Sequence, residues 1–280
     1  MHILIIGGTG FIGSYLAKKL CEKGSITVTG RDLNFDQTMS PDVIINLAGE
    51  PLEKRRWNLR VKQEIYDSRI ETTKKIVDYI KDLPQKPKLF LSGSAIGIYG
   101  HSLDHVFTEN DDISPQDFCQ TLVLDWEKEA LKAREFGVRV CLLRTGIVLG
   151  KNGGALSQML PAFTLGLGAI LGKGDQWMSW VHMDDVVGAI QFLMDHDIHG
   201  PVNLTSPTPV TNQTLTKELA KALNRPSFLK FPPFLVRLLF GEMADALLLN
   251  GQKVIPQKLQ ESGYIFKFQD IKTALEDVLI

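Results

Sequence analysis

A glycine-rich turn, Gly7-Gly-Thr-Gly-Phe-Ile-Gly13, lies between a short apolar run, His2 to Ile6, and an amphipathic stretch from Phe11 to Lys23. A chain that leaves a strand, turns at once and enters a helix needs residues without a Cβ at the turn. The same turn leaves the first N–H groups of the helix free to meet an anion. In this context the GxxGxxG spacing reads as a phosphate-cradling loop, in which Gly7, Thr9, Gly10, Phe11, Ile12 and Gly13 would hold the pyrophosphate of a dinucleotide. Ser25 to Gly30 follows as a β-rich run and completes a βαβ unit.

The alternation continues along the chain. Strand-like runs at Asp42–Asn46, Lys88–Ser92 and Val138–Arg144 alternate with helical patterns at Asp67–Leu83 and Asp125–Phe136. That order predicts an α/β fold, a doubly wound parallel sheet of the Rossmann type. After Arg144 the texture changes: Lys151 to Gly174 is glycine-rich, Asp184 to Asp195 reads as a helix, and prolines punctuate the chain through Pro233. We therefore expect a smaller C-terminal substrate lobe. Residues 1–230 form the dinucleotide-binding domain with lobe insertions near 151–180, and residues 231–280 form a helical segment of the lobe, ending in the amphipathic Ile271–Leu279 run. Only eleven residues separate Gly30 from Asp42, too few and too polar for a further strand and helix, so one strand of the usual sheet is expected to be missing.

The residue after the second strand selects the cofactor, because a carboxylate there binds a ribose diol and an arginine pairs with a 2′-phosphate. Arg31 holds that place, which points to NADP(H); Asp32 beside it leaves a ribose contact open. Leu47, Ala48 and Gly49, after the third strand, fall where open α/β sheets bind ligands, and Arg69 and Ser92 are assigned to the same cofactor side. Arg55 and Arg56 offer further positive charge for an anionic substrate. The charge balance, 31 Lys plus Arg against 32 Asp plus Glu, gives no reason to expect nucleic acid as a partner. No apolar run reaches membrane-spanning length, and the chain opens on a strand without a basic and apolar leader, so a compact cytoplasmic protein without a membrane partner is expected. Three cysteines without CxxC spacing and six scattered histidines give no metal site.

With the phosphate loop, Arg31 and Asn46-Leu-Ala-Gly49, the run Ser92-Gly-Ser94-Ala-Ile-Gly-Ile-Tyr99-Gly100 resembles the extended short-chain dehydrogenase/reductases. Further runs sharpen the likeness: Arg56-Trp57, Asp67-Ser-Arg69, Asp125-Trp-Glu127, Leu143 to Gly150, Gln176 to His182 and Gly251 to Pro256 are similar to an atypical "epimerase family protein" subgroup. The resemblance covers essentially the whole chain. It implies a Rossmann fold, NADP(H), an unidentified small-molecule substrate, and a possible homodimer built from the helices at Asp67–Leu83 and Leu124–Phe136.

In the wider family a serine or threonine holds the substrate oxygen, a tyrosine exchanges its proton, and a lysine four residues later lowers the tyrosine pKa. A phenol titrating near pH 10 needs such an ammonium to work at neutrality. By position the serine is Ser94. No tyrosine occurs from Phe118 to Lys128, so the Tyr-x-x-x-Lys pair is absent; Tyr15 with Lys19 has the spacing but lies in the first helix. Tyr99, His182 or a bound water are left as proton sources. The expected activity is that of an oxidoreductase or epimerase-like enzyme; the alternative is a protein that senses NADPH without turning over a substrate.

Overall fold

The computed structural model describes residues 1–30 and 39–279. Six parallel strands form the main sheet: β1 (His2–Ile6), β2 (Ser25–Thr29), β3 (Val43–Asn46), β4 (Leu89–Ala95), β5 (Arg139–Thr145) and β6 (Gly200–Leu204). They run in the order β6-β5-β4-β3-β1-β2. Among the described residues β2 is the edge next to β1; Arg31 and Asp32 lie outside those residues.

Each of the four inner strands, β1, β3, β4 and β5, feeds two cores because its side chains alternate. Ile3 and Ile5, with Val43, Ile45, Leu89 and Leu91, pack against helices α1 (Phe11–Leu20) and α5 (Met183–Asp195). Leu4 and Ile6, with Ile44 and Phe90, pack against α2 (Leu59–Asp82) on the opposite face, where Ala130 of α3 (Phe118–Leu131) joins them. A sheet buried on both faces tolerates continuous apolar runs, which is why these strands read so plainly in the sequence.

Helices α2 and α3 begin well before the apolar periodicity suggested. Asn58 accepts the Val61 N–H and Asp117 accepts the Gln120 N–H, so each helix starts at a side-chain cap rather than at its first long apolar stretch. The outward positions of α2 are almost all polar or charged, among them Gln63, Asp67, Glu71, Lys74 and Asp78.

The lobe has its own core, in which Leu156, Phe163, Trp180, Leu219 and Leu275 meet. Helices α4 (Gly154–Thr164), α6 (Asn212–Ala222) and α9 (Ile271–Leu279) supply it together with short strands; α7 (Pro233–Phe240) follows α6, and Leu259 of α8 (Gln257–Glu261) packs instead into the sheet's core. The last fifty residues are less helical than expected: Gln252–Val254 pairs with Ser102–Phe107, and Asn203 donates its side-chain N–H to the Ile255 carbonyl. Lobe and sheet are laced together by these returns. Among the described residues no helix is long and apolar enough to cross a membrane.

Candidate functional site

Chain order reverses across β1, since β2 lies on one side of it and β3 on the other, and open α/β sheets bind ligands outside the strand ends at such a point. Gly7, just past β1, has φ +78° and donates its N–H to the Thr29 carbonyl at 2.9 Å. A Cβ on it would lie 2.7 Å from the Ala48 nitrogen and the Leu47 carbonyl carbon, so only glycine lets the two loops meet there. One at Gly13 would collide with the Gly7 carbonyl oxygen and lie 2.6 Å from the Gly8 Cα. Helix α1 starts at Phe11 with Gly10 at its cap and no side-chain hydrogen bond; the Gly10 N–H donates to the Gly7 carbonyl, and the Ser14 N–H donates to the Gly10 carbonyl at 2.9 Å. The first-turn amides of Phe11, Ile12 and Gly13 form the partly positive end of the helix. A bare-backbone cradle at an uncapped helix start has the donor set for a diphosphate.

The facing wall is set by Asn46. Buried at the end of β3, its Oδ1 accepts the Ala48 N–H at 3.1 Å, while its Nδ2 donates to Thr73 Oγ1. That bond shapes the Leu47-Ala48-Gly49 turn. Arg69 packs against Gly49, its guanidinium carbon 3.1 Å from where a Cβ would be, and lies 5.4 Å from the Trp126 ring centroid. Arg69, Leu47, Ala48 and Gly49 thus come together beside the Gly7–Gly13 turn. Ser92 is fully buried and donates to the Gly93 carbonyl at 3.3 Å.

Ser94 and Tyr99 meet in one buried polar chain. Ser94 Oγ donates to Glu127 Oε1 at 2.5 Å. Arg144 binds Glu127 with two prongs, 2.8 and 2.9 Å, and donates a third hydrogen bond to the Tyr99 hydroxyl at 2.9 Å. Tyr99 in turn donates to Asn203 Oδ1 at 2.7 Å, and the Asn203 backbone N–H is taken by Glu109. Burial pushes the Tyr99 phenol up to about 12, more than Arg144 pulls it down. Burial works against the Arg144 charge, yet the Glu127 carboxylate outweighs it and the guanidinium is held above its ordinary value. The same burial raises the Glu109 carboxyl.

Helix α3 confirms in space what its sequence lacks. A Cβ at Gly97 would lie 3.8 Å from that of Cys119, Gly93 abuts Trp126, and Val123 packs with Ile98 and Tyr99. The i, i+4 pair facing the end of β4 is therefore Cys119 and Val123, neither a phenol nor an ammonium. Burial raises the Cys119 thiol to about 12, far from a thiolate at neutrality.

His182 stands elsewhere, as the cap of α5. Its Nδ1 accepts the Asp184 N–H at 3.1 Å, its ring lies on Phe268 at 3.8 Å between centroids, and its Nε2 sits 3.4 Å from Asp277 without a hydrogen bond. Burial lowers its pKa, opposed by Asp184 and Asp277. The unfolded chain therefore takes up the proton first, and stability is lost as pH falls through the ordinary value of about 6.5 toward the lower folded one. His182→Asn keeps a capping acceptor, so its melting temperature should fall less than that of the parent between about pH 7.5 and about pH 5.5. Parallel losses, followed by circular dichroism, would refute this assignment.

Glu127, Asn203 and Glu109 carry the buried chain with Ser94 and Tyr99, yet sequence reasoning assigned them no role. For Glu127 the only signal lay on its partner: Arg144 is a charge within the apolar run Val140 to Leu149, and such groups are rarely buried unless paired, whereas Glu127 sits among Asp125, Lys128 and Glu129 and reads as a solvated position. Asn203 and Glu109 have none, because Asn203 sits in an edge strand and Glu109 in a loop.

A doubly wound parallel sheet with a glycine cradle at its switch point defines a dinucleotide-binding Rossmann protein. Residues 3–204 match the NAD dependent epimerase/dehydratase family, and residues 231–278 match a domain of unknown function, DUF1731. The chain belongs to the NAD dependent epimerase/dehydratase family. It is 37% identical to the chloroplastic epimerase family protein SDR39U1 homolog of Arabidopsis thaliana, over all of this chain and 87% of the relative. An epimerase family protein of Staphylococcus haemolyticus is also 37% identical, with 99% of each chain covered. The crystal structure of human epimerase family protein SDR39U1, isoform 2, with NADPH superimposes with a TM-score of 0.93 at 33% identity, covering 99% of both chains.

Proposed function

We propose that this chain binds NADP(H) and is an oxidoreductase or epimerase-like enzyme acting on a small carbonyl or hydroxyl substrate. The observation that carries the reading is the cradle itself: Gly7 and Gly13 admit no Cβ, and no side chain caps the helix that starts there. Gly7, Thr9, Gly10, Phe11, Ile12 and Gly13 would hold the diphosphate, with Leu47, Ala48, Gly49, Arg69 and Ser92 on the neighbouring wall and Arg31 on the 2′-phosphate. Once bound, the nicotinamide supplies a hydride acceptor or donor. The relative solved with NADPH supports the choice of cofactor.

Ser94 orients the substrate. Its proton is committed to Glu127, so it offers lone pairs and suits a substrate hydroxyl that donates to it. Tyr99 has both its donor and an acceptor site taken, and His182 is a helix cap, so we assign the proton exchange to a water in the crevice. Cytoplasmic residence and a substrate lobe that includes residues 231–280 belong to the same proposal.

A second reading is favoured by one set of contacts. Tyr15 of α1 donates to Asp184 at 2.5 Å, Asp184 pairs with Lys267, and Asp185 accepts the backbone N–H groups of Lys267 and Phe268. The helix that begins at the cradle is thereby tied to the C-terminal segment, a route by which cofactor occupancy could be sensed without turnover.

A fluorescence titration with NADPH and NADH tests the cofactor. Arg31→Ala should weaken NADPH about tenfold to a hundredfold, toward the NADH affinity, as expected for losing a charge-assisted hydrogen bond. No NADPH binding by the parent protein would end both readings. Turnover on a panel of carbonyl and alcohol substrates favours the first. Tight binding without turnover, but with altered protease cleavage in residues 234–279, favours the second.

A further inference from the structure

We propose that the loop Gly150–Gly154 forms the second wall of the diphosphate site and that Lys151 supplies its cation, an inference that rests on the NADP(H) reading above. Phe11 is the residue that opens α1. A Cβ at Gly150 would lie 3.0 Å from its Cζ and one at Gly154 2.7 Å from its Cε1, and one at Gly153 would collide with the same ring. Three glycines of one loop close around one side chain because only bare backbone can come so near. Asn152 and Gly154, at φ +63° and +65°, reverse the chain there. Helix α4 then starts at Gly154, with Gly153 at its cap and no side-chain hydrogen bond. Two helix starts without side-chain caps therefore meet at Phe11.

On this side of the site the charge is incomplete, since Arg69 stands beside Gly49 on the other wall. A diphosphate brings about two negative charges, whereas a helix start offers about half a positive one. The first turn of α1, Phe11-Ile-Gly-Ser14, contains no cation. Lys151 is exposed, and among the described residues no ion pair is formed by it. It lies between Gly150 and Gly153, where a Cβ on either would press on the Phe11 ring, and Phe11 is the first residue of α1, so its flexible, cationic side chain is carried on the stretch of loop next to the start of that helix. Its ammonium would act on the diphosphate, common to NADPH and NADH, and not on the 2′-phosphate at the far edge of the sheet.

The test compares the parent protein with Lys151→Met and Lys151→Arg by fluorescence titration, with adenosine 2′,5′-bisphosphate as a probe that lacks the diphosphate bridge. Lys151→Met should weaken NADPH and NADH alike by about tenfold, leave the bisphosphate affinity unchanged, and keep the melting temperature of the parent; Lys151→Arg should bind as the parent does. Unchanged dinucleotide binding in Lys151→Met overturns the proposal, as does an equal loss for the bisphosphate. Failure of the parent protein to bind NADPH would instead overturn the cofactor reading on which it stands, so the two failures are distinguishable.

Discussion

Arg144→Ala should lower the stability of the protein by about 3–5 kcal/mol, because it removes one partner of a buried ion pair and leaves the other charge without compensation. For a chain of this size the melting temperature should fall on the order of 10 °C. Both partners are almost fully enclosed, with side-chain exposures of 6% and 6%, so solvent cannot replace the lost guanidinium. Three groups lose a donor or a bonded neighbour at once: Glu127 loses both prongs, Tyr99 loses one donor, and Ser94 is left alone on an unpaired carboxylate. The double variant Arg144→Met with Glu127→Leu should recover much of the loss, since replacing a buried pair by apolar groups is often close to neutral. Thermal melts followed by circular dichroism decide this. A single variant that melts within about 2 °C of the parent would show that the pair is not worth what its burial implies.

Gly13→Ala should abolish measurable NADPH binding, a loss of at least about a hundredfold. Helix propensity alone favours alanine over glycine by about 0.5–1 kcal/mol. Here that preference is overruled, because the added Cβ meets the Gly7 carbonyl and the Gly8 Cα, which are backbone and cannot step aside without opening the loop. Moving the loop displaces the first-turn amides that the diphosphate needs, so affinity falls further than stability. The measurement is the NADPH titration run beside a melting curve. Parent-like affinity in a folded Gly13→Ala protein would sink the assignment of this turn as the phosphate cradle.

Much of the sheet could be read before any coordinates, and the reason lies in its period. In β1, Ile3 and Ile5 face one core and Leu4 and Ile6 the other; a short run apolar on both faces and closed by Gly7 and Gly8 has few alternatives. The cradle was legible for a related reason, since a strand, three spaced glycines and an amphipathic helix admit few geometries. Helix starts were less legible. Asn58 and Asp117 stand several residues ahead of the apolar periodicity, and nothing in their neighbourhood shows that their side chains turn back onto the following N–H groups. The lobe was least legible, because its short strands pair across long separations, such as Gln252–Val254 with Ser102–Phe107.

For the candidate site, the sequence by itself determined the glycine-rich turn between β1 and α1, the absence of a tyrosine and lysine pair on α3, and the place of Ser94 at the end of a central strand. Each depends on neighbours within one turn or one strand. Only the tertiary structure decided what those side chains do. Ser94 gives its proton to a carboxylate 33 residues away, Tyr99 to an amide 104 residues away, and His182 caps a helix while leaning on Phe268. A hydroxyl or an imidazole can donate or accept in several directions, and which direction it takes is fixed by the partner that packing brings to it.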